Sequence, residues 1–270
     1  MMKGETTRGG TSPGRMGREA CAVGRKKREW PLFFLCLSAA LYGLALIFSA
    51  TRYEETLHGL VGKQAVALGG GVVLCLLLSV LDVRKLLEKL WWLLPVVNVG
   101  LLLLLVPLGN DDGTGNKSWI SLPGGGFNLQ PAEVVKISFL LLLALQLRKL
   151  GEKGLNRPKA VFLLLLHVLA LCALLYGVSG DIGMVAVYLA VYLVMLWSAG
   201  VHPLWLLGEV AAGVGAVVLL WPRLPEYVRM RFLVVFDHGL DPLGKGFQQE
   251  RSLLAIGSGQ VTGQGYLQGT

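Results

Sequence analysis

Long apolar runs alternate with short polar stretches along this chain. Seven of the runs come close to the roughly 20 residues that an α-helix needs to cross a bilayer. They predict spans over about residues 31–51, 64–82, 90–108, 131–147, 159–178, 182–199 and 203–221. We therefore expect an all-α, polytopic membrane protein. The composition agrees, since 54% of the residues are hydrophobic, which excludes an ordinary soluble domain.

Two regions lack this apolar character. Residues 1–29 are rich in glycine, serine, threonine and arginine, and we expect a disordered basic tail there. Residues 30–270 then form one transmembrane domain, with an outer loop at 222–270. Within that loop Asp237 to Thr270 is polar and glycine-rich, apart from an amphipathic stretch at 247–256. Polar, non-helical chain at a bilayer edge normally lines a cavity or faces water, so we expect the chemistry beside this segment.

The distribution of basic residues predicts the orientation. The net charge of +8 would suit a nucleic-acid-binding protein, but the cations cluster in short loops between the apolar runs. That pattern is typical of topology signals and of contacts to anionic lipids. The tail, residues 84–89 and residues 148–159 should be cytoplasmic, which places the loops 109–130 and 222–270 on the outer face.

Cysteines and histidines show no spacing that indicates a disulfide or a metal site. Cys36, Cys75 and Cys172 fall inside apolar runs, and we interpret them as small buried hydrophobic residues. The four histidines are isolated, and no zinc site is indicated.

Ionisable residues near the ends of the spans are candidates for function. Glu133 and Lys136 are three residues apart at the start of the fourth span and share a helical face. Such groups are costly in a bilayer unless they are paired or hydrated, so they are either functional or an interhelical ion pair. Asp181, in a short turn, either caps the sixth span or acts directly. Trp119 alone would be an ordinary interfacial anchor.

Seven short motifs follow one another along these spans. In chain order they are Trp119-Ile120, Gln130-Pro131-x-Glu133-x-x-Lys136, Asp181-x-Gly183, Asp241-Pro242, Gly246-Phe247-Gln248, Ala255-Ile256-Gly257-Ser258-Gly259 and Gly263-x-Gly265. Each is weak alone, but their order on this topology resembles the SEDS family, the shape, elongation, division and sporulation proteins. The resemblance runs from about residue 30 to the end of the chain.

The chain departs from the family's pattern at several positions. Ala132 stands where serine is usual, Ser118 replaces a frequent arginine, Arg251 a glutamine and Gln260 a glycine. The family has ten spans, whereas this sequence stops in the outer loop after the seventh. The resemblance therefore implies that the sequence is the amino-terminal portion of the family's architecture.

The resemblance implies a glycosyltransferase that polymerises lipid II into glycan strands at the outer face of the bacterial plasma membrane. The process is elongation, division or sporulation, and the implied partner is a transpeptidase, a class B penicillin-binding protein. Asp241 is the candidate general base. The polar residues expected to bind substrate or order the bundle are Trp119, Glu133, Lys136, Asp181, Gln248 and Ser258.

Cations near the outer side could neutralise the pyrophosphate of lipid II. They are Lys136, Arg223, Arg229, Arg231, Lys245 and Arg251. A divalent ion could also assist the leaving pyrophosphate, although no ligand cluster in the sequence requires one.

Two other functions would use the same features. A lipid II flippase would need a polar-lined bundle and a paired Glu133 and Lys136 without covalent chemistry. A scaffold that only holds the transpeptidase would tolerate the loss of Asp241.

Overall fold

The computed structural model describes residues 29–52, 58–110, 116–121, 127–224, 226–241 and 245–268. The chain divides into two compact units, residues 1–79 and 80–270. The predicted basic tail lies outside the described residues except for its last position.

The first unit contributes two long apolar helices, α1 over Trp30–Thr51 and α2 over His58–Val80, which ends at the unit boundary. Proline in the first turn of α1 suits a helix start, because the missing N–H has no helical partner there. The interpretation of the cysteines as buried is wrong for Cys36 and Cys75, which are exposed, and correct for Cys172. A lipid tail is as apolar as leucine, so an apolar residue in a span need not face protein.

The second unit holds the remaining described helices and three short strands. The helices are α3 Val83–Leu90, α4 Leu93–Leu103, α5 Leu105–Leu108, α6 Pro131–Leu155, α7 Pro158–Ser179, α8 Ile182–Ser198, α9 Pro203–Leu220, α10 Glu226–Phe236 and α11 Lys245–Gly259. Single 3₁₀ turns lie at Trp221–Arg223 and His238–Leu240. The strands are β1 Gly109–Asn110, β2 Trp119–Ser121 and β3 Asn128–Leu129, antiparallel in that order.

Described helices overlap all seven predicted spans, and the third span is divided mainly between α4 and α5. Four are long and apolar enough to cross a membrane, namely Trp30–Thr51, Gly59–Val80, Pro158–Ser179 and Pro203–Arg223. Leu93–Leu108 and Ile182–Ser198 are shorter apolar helices. The fourth predicted span lies in α6, which carries charged residues at both ends and is kinked at Gly151, where φ is 59°. The all-α, multi-pass architecture is therefore confirmed.

The core of the second unit lies between α6, α7 and α8. Phe139, Tyr188 and Leu175 are almost fully buried there. The Phe139 ring centroid is 5.3 Å from that of Tyr188 and 5.5 Å from that of His167. His167 Nδ1 in turn lies 3.0 Å from Gln146 Oε1, so this half-buried histidine has a polar partner on the neighbouring helix.

The expectation of non-helical chain over Asp237–Thr270 is wrong for its central part. The helix α11 runs from Lys245 through the amphipathic stretch and includes Gly257 and Gly259. Each glycine disfavours a helix by about 1 kcal/mol, but propensity is a weak determinant that surrounding residues override. Irregular backbone begins afterwards, where Gly263 and Gly265 have φ of 74° and 100°.

The second unit has two chemically distinct ends. The first, which we name the motif end, contains β1 to β3, the start of α6 and the turn Ser179–Asp181. There the Lys117 N–H donates to the Ser179 carbonyl over 3.1 Å. The other, the basic end, contains α3, the second half of α6 and the turn after α8, where the His202 N–H donates to Asn156 Oδ1 over 2.7 Å.

Candidate functional site

The turn between α7 and α8 positions Asp181 at the motif end. Helix α7 ends at Gly180, whose φ of 69° lies in the left-handed region that glycine adopts without strain. The Gly180 N–H closes the helix by donating to the Tyr176 carbonyl over 2.8 Å. Asp181 Oδ1 then accepts from the Met184 N–H over 3.1 Å and caps α8. The capping role that the sequence allowed for Asp181 is therefore real.

The second carboxylate oxygen of Asp181 joins three segments that are distant in sequence. Asp181 Oδ2 accepts from the Ser118 hydroxyl over 3.3 Å and from Gln130 Nε2 over 3.4 Å. Ser118 is buried, so its hydroxyl needs such a partner. Sequence reasoning noted Ser118 only as a departure from the family pattern and Gln130 only as part of a motif. The sequence signal that could have identified Ser118 and Gln130 is their position directly before Trp119 and Pro131 in two of the motifs.

The start of α6 carries the charged pair. Lys136 Nζ lies 2.8 Å from Glu133 Oε2, with the lysine side chain 23% exposed and the glutamate side chain 53% exposed. The predicted shared face is confirmed, and this contact is within one helix rather than between helices. Lys136 is the better shielded of the two side chains.

Further hydrogen bonds tie the start of α6 to its neighbours. The Tyr188 hydroxyl donates to the Ala132 carbonyl over 2.8 Å, and the Ser138 hydroxyl bonds to Asn98 Oδ1. Asn98 and Tyr188 are both buried. Because Tyr188 reaches the backbone at position 132, this contact does not depend on the serine that the family usually has there.

Trp119 lies in β2, where it pairs with Asn110 and is half-buried. Its neighbour Ile120 packs against the buried core. This strand holds Ser118 next to Asp181, so the motif that contains Trp119 helps to shape the motif end.

Asp241 lies in a different segment, between the 3₁₀ turn His238–Leu240 and α11. Its carbonyl accepts from the Gly246 N–H over 3.0 Å, and its side chain is half-buried. Four residues earlier, Asp237 Oδ1 accepts from the Gly239 N–H over 3.0 Å and starts the 3₁₀ turn. The Asp237 side chain thus stabilises backbone next to Asp241.

The remaining predicted site residues belong to α11. The Ser258 hydroxyl donates to the Ala255 carbonyl and accepts from Gln264 Nε2, both over 3.0 Å. Ser258 therefore ties the irregular chain after α11 back onto the helix. The structure describes the backbone of Gln248 and Lys245 within α11 but not their side chains. In the part of the chain that the structure describes, no group of three or more His, Cys, Asp or Glu side chains could hold a metal ion.

This geometry agrees with the similarity of the chain to known proteins. The family model described as Cell cycle protein, of the FtsW, RodA and SpoVE type, matches residues 30–270. The chain belongs to this family. The resemblance to SEDS proteins that the seven motifs indicated is thereby confirmed, and the protein is a multi-pass protein of a bacterial membrane.

Individual relatives agree with this assignment. The chain is 30% identical over 254 residues to a probable peptidoglycan glycosyltransferase FtsW from Geobacter metallireducens, covering 89% of this chain and 65% of that protein. The chain is also similar to a chain in a solved structure described as structural coordination of polymerization and crosslinking by a peptidoglycan synthase complex. The two sequences are 32% identical, and the TM-score is 0.68 over 86% of this chain and 66% of that one.

The rod shape determining protein RodA from Thermus thermophilus, solved as an aspartate-to-alanine mutant, is also similar. It is 29% identical, with a TM-score of 0.57 over 71% of this chain and 59% of that one. This SEDS chain thus spans 65% of the length of the Geobacter relative, and 66% and 59% of the two solved chains.

Proposed function

We propose that this SEDS protein is a peptidoglycan glycosyltransferase that polymerises lipid II at the outer face of the plasma membrane. The main support is the continuous family match over residues 30–270, together with relatives named as peptidoglycan glycosyltransferases. The motif end adds a physical argument, because it concentrates polar side chains at one end of apolar helices. A substrate with a lipid tail and a sugar headgroup needs such a boundary.

The proposed reaction forms a glycosidic bond between two lipid-linked sugars. A sugar hydroxyl attacks the anomeric carbon of the other molecule, the bond from that carbon to the lipid pyrophosphate breaks, and a new carbon–oxygen bond forms. The hydroxyl proton passes to the Asp241 carboxylate, and the pyrophosphate leaves with the bonding electrons. A positioned general base contributes roughly a hundred-fold or more to such a rate.

The other predicted residues divide into two groups in this proposal. Asp181, Trp119 and Ser258 hold the backbone that surrounds the substrate, as their described contacts suggest. Lys136 and Glu133 lie where the headgroup would meet the start of α6, and Lys136 can contribute charge toward the pyrophosphate. Gln248 is proposed to bind the sugar. The cations Arg223, Arg229, Arg231, Lys245 and Arg251 lie on the segment that carries Asp241, and a divalent ion could share their task.

The orientation is part of this proposal, because the chemistry needs the motif end outside the cytoplasm. Leu240→Cys should react with a membrane-impermeant thiol reagent in intact cells, and Gly154→Cys should not, in a background without native cysteines. Leu240 is exposed, and an added Cβ at Gly154 would lie 3.6 Å from the nearest side-chain atom, so both changes are tolerated. The reverse labelling pattern would refute the orientation and the choice of face.

A direct assay separates the proposed polymerase from the lipid II flippase. The purified protein is supplied with fluorescent lipid II, with and without a class B penicillin-binding protein as the expected partner. Products are separated by gel electrophoresis. Ladders of glycan strands that disappear in Asp241→Asn support polymerisation. Movement of lipid II across vesicle membranes without any ladder would instead support transport. If the protein neither forms ladders nor moves lipid II, the scaffold function remains.

A further inference from the structure

A cavity of about 310 Å³ lies at the basic end, far from the motifs. The residues that line it are Glu88, Trp91, Leu145, Arg148 and Lys149. Arg148 is fifteen residues after Glu133 in α6, which corresponds to roughly 22 Å along the helix. The cavity is therefore separate from the proposed catalytic region.

Two cations, one acid and one aromatic ring give the cavity its chemistry. Arg148 Nη1 lies 2.8 Å from Glu88 Oε1, with the two side chains 53% and 46% exposed. Lys149 Nζ lies 4.2 Å above the centroid of the Trp91 ring. A guanidinium has five N–H donors, so one contact at Nη1 leaves others for a ligand. The lining carries one more positive than negative charge.

The helix α3 forms one wall and has the pattern of a membrane-surface helix. Its half-buried positions, Val83, Leu87 and Leu90, recur at helical spacing on one face. Lys85 and Lys89 are exposed on the remaining surface. Such a helix lies at the boundary between headgroups and acyl chains, where its cations attract anionic lipid.

Exposed apolar side chains close in sequence to the lining residues favour a lipid over a soluble anion. Leu86 is 49% exposed and Trp92 is 56% exposed. Tryptophan is enriched at the headgroup level of bilayers, and basic pockets between membrane helices bind anionic headgroups. A ligand here would meet cations at one end and hydrocarbon-compatible surface at the other.

We propose that this cavity binds the phosphate headgroup of an anionic membrane lipid. Arg148 and Lys149 contact the phosphodiester oxygens, Trp91 packs beside the glycerol region, and the acyl chains extend along the apolar surface of α4 and α6. Glu88 competes with the phosphate for Arg148 in the absence of lipid. The site would recruit a resident lipid and would hold α3 against α6.

The test measures lipid retained by the purified full chain in native mass spectrometry. The protein is equilibrated in mixed micelles with phosphatidylglycerol or with phosphatidylcholine. We expect the wild type to retain phosphatidylglycerol in preference to phosphatidylcholine. Phosphatidylglycerol retention should fall about five-fold for each cation removed, once in Arg148→Gln and twice in Arg148→Gln/Lys149→Gln. Lys159→Gln is the matched control, because Lys159 is exposed at the same end but does not line the cavity. It should change retention less than two-fold.

Glu88→Gln distinguishes a binding site from a purely structural ion pair. If the cavity binds an anionic headgroup, removal of the competing carboxylate raises phosphatidylglycerol retention by a few-fold. A structural pair instead predicts the same loss as Arg148→Gln, which would overturn the proposal. This variant also decides the question if the double variant fails to fold. Equal losses in Lys159→Gln would refute a defined site, and full displacement of the lipid by inorganic phosphate would indicate a soluble-anion site instead.

Discussion

The turn at Asp181 and the segment around Asp241 differ in how their described contacts reach the rest of the chain. Asp181 accepts hydrogen bonds from Met184, Ser118 and Gln130, so three separate parts of the chain depend on it. Asp241 follows a single 3₁₀ turn, and its described backbone contact is to Gly246, five residues later. The Asp181 carboxylate is joined to distant segments, whereas the described backbone hydrogen bond of Asp241 is local.

This difference suggests how the two aspartates divide their roles. A carboxylate that already accepts three structural hydrogen bonds positions backbone, and moving a proton to it would weaken those bonds. A general base must instead present an oxygen to the substrate hydroxyl within hydrogen-bond reach. We therefore treat Asp181 as a positioning residue and keep Asp241, to which the family motif points, as the proposed base. The following predictions test that division.

The largest expected effect is on catalysis by Asp241→Asn. Polymerisation of lipid II should fall by roughly a hundred-fold or more, while the thermal unfolding temperature stays close to that of the wild type. Asp237→Asn is the matched control, because asparagine also caps turns and can still accept from Gly239. If Asp237 proved to be the sensitive residue, the assigned register of the motif would be wrong.

Asp181→Ala should act mainly on stability. It removes the cap of α8, which costs about 1 kcal/mol, and leaves the buried Ser118 hydroxyl without its acceptor, which costs about 1–3 kcal/mol more. Unfolding of the variant and of the wild type in detergent measures this loss as a difference in the free energy of unfolding. Asp82→Ala, which removes an exposed cap on α3, should cost about 1 kcal/mol or less. Equal losses in the two variants would mean that the contacts to Ser118 and Gln130 contribute nothing.

The pair Glu133 and Lys136 should show coupling in a double-mutant cycle. Each single neutral substitution should reduce the free energy of unfolding at least as much as the double substitution does, since it leaves one charge unpaired. Because Glu133 is half-exposed, we expect a coupling energy of at most about 1 kcal/mol. Two single variants that both behave like the wild type would indicate side chains that only extend to the interface.

The smallest expected effect concerns another carboxylate, Glu209 in α9. The Tyr192 hydroxyl donates to Glu209 Oε1 over 3.1 Å and so joins α8 to α9. Hydrogen bonds between membrane helices contribute about 0.6 kcal/mol on average, and Tyr192→Phe should lower the free energy of unfolding by that amount. Tyr42→Phe, at an exposed position of α1, should have no effect. A larger loss from Tyr192→Phe would mean that Glu209 orders more of the bundle than this contact.

Local patterns in the sequence determined the helices of this protein. A run of about 20 apolar residues is sufficient to predict a span, because an apolar helix of that length is stable in the bilayer irrespective of neighbouring helices. The left-handed Gly180 and the cap at Asp181 follow from similarly short-range rules. The sequence did not predict α11 as a helix, because its glycines weaken the local helical signal. The residues around those glycines stabilise the helix nevertheless.

Only the tertiary structure decided which polar groups meet. Ser118 and Gln130 reach Asp181 across 63 and 51 residues of sequence, and Tyr188 reaches Ala132 across 56. No periodicity encodes such pairs, because they depend on how α6, α7 and α8 pack. The cavity at Arg148 has the same origin, since it exists only where α3 lies against α6. Hydrophobic length is a local property, whereas hydrogen-bond partners are assigned by packing.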